Sequence, residues 1–218
     1  MTKPELANRI DHTLLKPDAT EAEIKALCEE AKAYHFCSVC VNSGRAALAK
    51  DCVAGSDVKL CVVVGFPLGC SAAKAAEAGA MAALGADEID MVMDIGRAKD
   101  GDWTAVEADI RAVRAECPRQ TLKVILETCL LTEGEIVRAC QAAKNAGADF
   151  VKTSTGFSAG GAKVEDVALM KRFAGGLRVK ASGGIRTYDD AAAMIAAGAD
   201  RIGASAGIAI LAGMEEQI

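Results

Sequence analysis

Aromatic side chains are scarce in this 218-residue chain: one Trp, two Tyr and five Phe amount to 4% of it, although 51% of the residues are hydrophobic. The core must therefore be assembled from Ala, Val, Ile, Leu and Met, volumes that suit a tightly layered α/β interior. Histidine is scarcer still. His12 and His35 are the only two, and neither sits in an H-x-x-x-H or paired Cys/His pattern that would hold zinc. No metal and no cofactor is expected. No segment reaches the roughly 18 uncharged apolar residues of a membrane span, because the alanine-rich stretch 71–84 carries Lys74 and Glu77. The opening Met1-Thr2-Lys3-Pro4-Glu5 lacks the apolar run of a secretory signal, so a cytoplasmic protein without a membrane partner is expected. Basic blocks are missing too. With a formal net charge of -5, nucleic-acid binding by phosphate neutralisation is not expected.

Cysteine is the exception, with nine residues. The number is odd and the chain is too large for a disulfide-stapled mini-domain. Cys37-Ser38-Val39-Cys40 has C-x-x-C spacing but reads as part of a strand, where positions three apart point to opposite faces. Reduced structural thiols are expected, with Cys40 near the active site.

An internal repeat organises the chain. Gly-Ala-Asp occurs at 85–87, 147–149 and 198–200, each time after an alanine-rich helical stretch and before an apolar strand. A glycine in the left-handed position ends each helix, and a short link delivers the chain to a buried strand. The copies are spaced by about two βα units, which implies parallel strands with right-handed crossovers. Eight strands are predicted, near 11–14, 37–41, 60–64, 88–93, 122–126, 150–153, 179–181 and 201–203. The segments 20–34, 71–84, 103–116, 132–145 and 187–197 read as helices, and Thr132 and Thr187 each carry an acidic residue three places on, as helix starts do. The pattern predicts a single-domain TIM (β/α)8 barrel over residues 1–218. An open doubly wound sheet would show a glycine-rich first βα turn that is missing here.

Lysines close two of these strands. Lys152 ends the sixth and Lys180 the seventh, and each is followed by a glycine-bearing turn. Buried lysines need a reason, and a neutral lysine amine is the nucleophile that forms Schiff bases with carbonyl compounds. Two ammonium groups roughly 5 Å apart repel by around 3 kcal/mol at an effective dielectric of about 20, which would favour a neutral amine on one of them. The residues alone do not say which lysine attacks. In a barrel, phosphate often binds the loops after strands seven and eight. Gly183 and Gly184 follow strand seven, and Gly203 and Ser205 end strand eight, so these turns read as an anion cradle at helix N-termini. Asp90 and Glu88 share one face of strand four by alternation. Asp94 and Glu127 lie near the ends of strands four and five, placed to orient the lysines or carry protons. For Glu88 and Asp94 a structural ion pair is the expected role, and Asp11 near the end of strand one reads as a lysine partner.

The segments ADEIDMVMDIG, KVILETCLL, FVKTSTGF, VKASGGIR and RIGASAG, with the opening IDHTLLKP and the GFPLG after strand three, resemble the deoxyribose-phosphate aldolases of the shorter bacterial and archaeal type over essentially the whole chain. The resemblance implies a TIM-barrel, metal-free class I aldolase that reversibly cleaves 2-deoxy-D-ribose 5-phosphate to D-glyceraldehyde 3-phosphate and acetaldehyde. It makes Lys152 the Schiff-base lysine, Lys180 the second lysine and Asp90 the proton-relay acid. Gly156, Gly183, Gly184, Gly203 and Ser205 would hold the phosphate, with Asp11, Cys40 and Thr155 behind them. Small phosphorylated sugars and aldehydes are the implied partners, and a homodimer or homotetramer the implied assembly. Some positions depart from relatives. Phe157 stands where some members have a lysine, Ala206 where a second serine is common, and the final residues 214–218 lack a terminal tyrosine. Two other readings remain open: a different Schiff-base phosphosugar lyase or transaldolase-like enzyme, and a phosphosugar isomerase or binding barrel whose lysines act only electrostatically.

Overall fold

Gly85, Gly147 and Gly198 take left-handed backbone angles, with φ of 95°, 83° and 110° in the computed structural model, which describes residues 1–215. Each ends a helix, as the repeat demands. The elements run α1 (Lys3–Ala7), β1 (Ile10–Leu14), α2 (Glu21–Tyr34), β2 (Ser38–Asn42), α3 (Ala46–Val53), β3 (Lys59–Val64), α4 (Lys74–Leu84) and β4 (Glu88–Val92). They continue with α5 (Ile95–Lys99), α6 (Trp103–Glu116), β5 (Thr121–Ile125), α7 (Glu133–Asn145), β6 (Phe150–Lys152), α8 (Val164–Phe173), β7 (Arg178–Ser182), α9 (Tyr188–Ala196), β8 (Arg201–Ala204) and α10 (Gly207–Glu215). All neighbouring strands pair in parallel, and β1 pairs with β8, so the sheet closes into a barrel in sequence order.

The aspartate of each Gly-Ala-Asp copy is a clamp. Asp87 donates its N–H to the Leu60 carbonyl at 2.9 Å, and its Oδ2 accepts the Leu60 N–H at 2.8 Å. Asp149 grips Leu122 in the same way, at 2.9 Å for both bonds, and Asp200 grips Val179 at 2.8 Å for both. The third, fifth and seventh strands are each locked by this device to the strand that follows. Arg114 and Lys171 hold the carboxylates of Asp149 and Asp200 from the helix layer, at 3.0 and 2.8 Å.

Thr20, Thr132 and Thr187 each cap a helix with a reciprocal box, the acidic partners being Glu23, Glu135 and Asp190. Two boundaries differ from the sequence reading. Cys37 precedes β2 rather than belonging to it, and α4 begins at Lys74, three residues later than expected. In the connection before α4, Gly69 has a left-handed backbone and lies so close to the Met93 carbonyl that a Cβ there would collide. The short helices α1 and α5 were not legible in the sequence. The C-terminal segment 214–218 runs past the described residues.

Most of the aliphatic core lies between the strands and the outer helices, and a small cluster of Leu15, Cys40, Cys61 and Val63 fills part of the barrel itself. Beside it lies a layer of buried charges. Barrel interiors are usually filled by layers of branched aliphatic side chains; this one carries a layer of acids and bases instead.

The clamps generate a prediction. Asp149→Ala removes the bond to Leu122 and the ion pair to Arg114, leaving a backbone donor without its acceptor. It should cost about 2 kcal/mol and lower Tm by roughly 4–8 °C for a chain of this size, with activity per folded molecule unchanged. Scanning calorimetry beside a kinetic assay reads both; an unchanged Tm would remove the clamp from the account of stability.

Candidate active site

Strand register brings the charged residues together. Lys152 lies opposite Lys180, Asp90 opposite Lys123, and Lys180 opposite Arg201. By alternation these side chains point into the barrel, and Asp11, Glu88, Asp90, Lys123, Lys152, Lys180 and Arg201 are all buried. Asp90 is the hub. Its Oδ2 lies 2.9 Å from Lys152 Nζ and 2.7 Å from Lys180 Nζ, and its Oδ1 accepts from Lys123 Nζ at 2.6 Å and from Cys61 Sγ at 3.1 Å. Lys180 Nζ also forms an ion pair with Asp11 Oδ2 at 2.5 Å. Lys123 reaches Glu88 Oε2 at 2.5 Å. Arg201 bridges Asp11 and Glu88, donating from Nε to Asp11 Oδ1 at 3.0 Å and from Nη2 to Glu88 Oε2 at 3.0 Å, and Ser38 donates its hydroxyl to Asp11 Oδ1 at 2.7 Å.

This arrangement corrects the simple picture of two ammonium groups in repulsion. A carboxylate oxygen stands between them and touches both. Burial by itself would drive the Asp90 carboxyl up, but Lys123, Lys152 and Lys180 hold it well below the usual range. Asp11 is likewise kept low against its burial, by Lys180 first and then Arg201. For Lys180, burial opposes the charge, and Asp11 and Asp90 outweigh it, so its pKa is raised and it remains a cation. Lys123 is raised in the same way, by Asp90 foremost.

The three lysines of this cluster differ in access. A cavity of about 300 Å³ opens at the C-terminal ends of the strands and is lined by Lys152, whereas Lys123 and Lys180 lie beneath it. Gly156, Gly183, Gly184, Gly203 and Ser205 all line the same cavity, as does Thr155. Gly183 and Gly184 are left-handed, with φ of 86° and 81°, so the turn after β7 needs glycine at both. Gly203 is glycine for a different reason: a Cβ there would come within 3.0 Å of Lys180 Cε. Its small size makes room for the lysine. The turn after β6 is tied to the turn after β7, since Ser182 Oγ donates to the Ser154 carbonyl at 2.6 Å and Ala162 N–H to the Gly183 carbonyl at 3.0 Å. At the rim Phe157, half exposed, meets Phe66 edge to face at 5.2 Å, so this position supplies apolar surface and no charge.

Other expected residues take different roles. Cys40 is buried beside Cys61, its neighbour in the β2–β3 register. The Cys61 hydrogen bond draws the Cys40 thiol down, while burial pushes Cys61 up. Asp94 makes no ion pair among the described residues; it caps α5, its Oδ1 accepting the Arg97 N–H at 3.0 Å. Glu127 touches no lysine among the described residues and accepts instead from Thr155. Glu88, by contrast, is fully engaged by Lys123 and Arg201.

Lys123 and Arg201 were missed by sequence reasoning. Each is a long cation inside an apolar strand, the same anomaly that singled out Lys152 and Lys180. They lie at the middle and start of their strands, away from the C-terminal ends where barrel sites form. Two donor sets, Cys40–Cys61–Asp90 and Asp11–Cys61–Glu88, are compact enough to hold a metal ion, their donor atoms lying within 4.8 Å of one another. Their carboxylates are already paired with ammonium or guanidinium groups, and Lys123 Nζ sits 3.3 Å from Cys61 Sγ, so a cation entering either set would have to displace a lysine.

Residues 6–213 match the family described as DeoC/LacD family aldolase. A deoxyribose-phosphate aldolase from Clostridium perfringens is 56% identical over 217 residues, 98% of this chain and 97% of its own length. One from Streptococcus gordonii is 58% identical over 207 residues, 94% of each chain. Among solved structures, the tetrameric deoxyribose phosphate aldolase of Aeropyrum pernix superposes with a TM-score of 0.89 at 34% identity, covering 99% of this chain and 93% of its own.

The charge layer sets how stability depends on pH. Asp11 and Asp90 titrate lower in the folded chain than at their unfolded value of about 3.9, so the stability they contribute is complete above that value and is lost as pH falls through their depressed native range. Lys180 titrates above its unfolded value of about 10.4, so its contribution is complete below that and is lost as pH rises beyond it. Thermal unfolding from pH 2 to 11 should trace a plateau with a limb on each side. Asp11→Asn should lower the plateau, since breaking a buried pair costs about 3–5 kcal/mol, and should flatten the acid limb because the amide does not titrate. An acid limb as steep as that of the parent chain would show that Asp11 plays no part in it.

Proposed function

The chain belongs to the DeoC/LacD family of aldolases, and we propose that it cleaves 2-deoxy-D-ribose 5-phosphate reversibly to D-glyceraldehyde 3-phosphate and acetaldehyde through a Schiff base on Lys152. The observation that carries this reading is the access of one amine. Lys152 lines the cavity and, among the described residues, has a single carboxylate oxygen within 4 Å, Asp90 Oδ2, whereas Lys123 and Lys180 do not line it and are each held by two carboxylates or more. The cluster contains four cations, Lys123, Lys152, Lys180 and Arg201, against three carboxylates, Asp11, Glu88 and Asp90.

In this mechanism the neutral Lys152 amine adds to C1 of the open-chain sugar, and water leaves to give the iminium ion. Removal of the C3 hydroxyl proton lets the C2–C3 bond break, its electrons moving into the iminium to form an enamine while C3 becomes the aldehyde carbon of glyceraldehyde 3-phosphate. Protonation of the enamine at C2 and hydrolysis then release acetaldehyde and restore the amine. Asp90 touches both Lys152 and Lys180, which suits it to pass protons at the reacting end. Because its carboxyl is held strongly acidic, it serves as a bridge and not as a store. Lys180 stays positive and supplies a fixed charge below the iminium. The phosphate end would lie against the turns of Gly183, Gly184 and Ser205, where the glycine turn leaves its backbone close to the cavity and Ser205 leads into the start of α10, whose N–H groups favour an anion.

Nine free cysteines support a reducing, cytoplasmic setting, and no helix among the described residues is long and apolar enough to cross a membrane. We extend the reading to a homo-oligomer, as the Aeropyrum pernix relative is described as tetrameric.

The reading is tested by trapping. Acetaldehyde with borohydride should leave a reduced two-carbon adduct on the peptide containing Lys152, and mass spectrometry locates it. Labelling of Lys180 alone, or of neither lysine, would defeat the assignment and favour a barrel whose lysines act without covalent chemistry.

A further inference from the structure

A buried carboxylate without a cation stands at the rim of the barrel. Glu127 follows β5, is 2% exposed and makes no ion pair among the described residues. Its backbone is left-handed, with φ of 58° and ψ of 61°, a conformation that a residue with a long side chain rarely takes. The cause is a bulge. Leu126 N–H donates to the Lys152 carbonyl at 2.9 Å, and Thr128 N–H donates to the next carbonyl, Thr153, at 2.9 Å. Two steps along one strand thus face a single step of the other, and the extra residue is Glu127.

The bulge aims the carboxylate at the loop between β6 and α8. There it accepts the Thr155 N–H at 3.3 Å and a short hydrogen bond from the Thr155 hydroxyl. The same hydroxyl oxygen accepts the Phe157 N–H at 3.0 Å. The two residues flanking Gly156 are thereby fixed through one side chain, and Gly156, with φ of 83°, lies against the turn after β7: a Cβ built on Gly183 would stand 3.6 Å from its Cα. Strain of this kind persists only where the surroundings over-determine it, and it concentrates where geometry matters to function. Lys152, three residues before Thr155, lies on the strand this bulge faces.

We propose that Glu127 is a positioning residue for phosphate recognition: acting through Thr155, it holds the Gly156 turn so that its backbone faces the cavity beside Gly183 and Gly184. The proposal rests on the phosphosugar reading above. Lys16 and Arg186 also line the cavity, but Phe157 brings no positive charge to this loop, so the loop itself meets an anion with backbone donors, which act only from a fixed position. A misplacement of about 1 Å is enough to weaken such a site severely.

Three variants test it: Glu127→Gln, Glu127→Met and Thr155→Val, each assayed on deoxyribose 5-phosphate and on unphosphorylated deoxyribose. Glu127→Met and Thr155→Val should raise KM for the phosphorylated sugar about tenfold while kcat/KM for the unphosphorylated sugar changes by less than about twofold. Inhibition by inorganic phosphate should weaken in parallel. Glu127→Gln retains an acceptor oxygen for Thr155 and should stay within about threefold of the parent on both substrates. Equal losses on the two sugars, an unchanged KM ratio, or Glu127→Gln as impaired as Glu127→Met would each overturn the proposal. Should Glu127→Met fail to fold, Thr155→Val, nearly isosteric, decides the question by the same ratio. Acetaldehyde trapping on Lys152 involves no phosphate and should proceed in all three variants. Its failure in the parent chain would sink the Schiff-base reading, whereas the response to inorganic phosphate would still judge Glu127.

Discussion

One carboxylate oxygen shared between two ammonium groups governs this molecule. Asp90 Oδ2 touches Lys152 and Lys180 at once, and everything around it exists to make that contact tolerable in a place without bulk water. A buried charge is costly unless paired and hydrogen-bonded, so Lys180 draws in Asp11, Asp11 draws in Arg201 and Ser38, and Arg201 draws in Glu88, which returns to Asp90 through Lys123. The network is a closed loop, and removing any member leaves its neighbours with buried charge that is only partly compensated. Gly203 belongs to the same constraint, since the Lys180 stem passes where its side chain would be.

Such a network needs strands held in one register, because a slip of a single residue would turn each acid and base out of the barrel. The clamping aspartates of the Gly-Ala-Asp repeat answer that need directly. They fix Leu60, Leu122 and Val179 from the following turn, at the opposite end of the barrel from the cavity. Stability and chemistry are thus divided between the two ends of each strand, as barrel architecture allows.

Much of this was legible in the residues. The repeat announced helix, left-handed glycine and strand, and the resulting count of eight predicted the barrel. Lys152, Lys180 and Asp90 stood out because charged side chains interrupt apolar strands, and the structure brings all three into contact. What escaped the sequence was pairing over distance. Nothing local to Lys123 says that it meets Glu88 on the neighbouring strand, nor to Arg201 that it meets Glu88 across the barrel, and the repulsion expected between Lys152 and Lys180 took no account of the carboxylate between them. Asp94 looked like an ion-pairing acid and is a helix cap, because residue type alone does not show whether a carboxylate at a strand end faces a neighbouring cation or its own following turn. Glu127 was noticed for its charge, but its role follows from a bulge that no local pattern reveals.

The interior charges also divide the chain in two. Asp11, Glu88 and Asp90 come from β1 and β4; Lys123, Lys152, Lys180 and Arg201 come from β5 to β8. The first four strands therefore contribute the acids of the layer and the last four its bases. A half-barrel built from either set would concentrate one sign of charge on its concave face, relieved in the first half by the half-exposed Lys59 beside Glu88, and could not bury it. The two halves resemble partners in a complex, joined by electrostatic complementarity as well as by apolar contact. Assembly of this barrel is then an act of recognition within a single chain, and the site that results did not exist in either half.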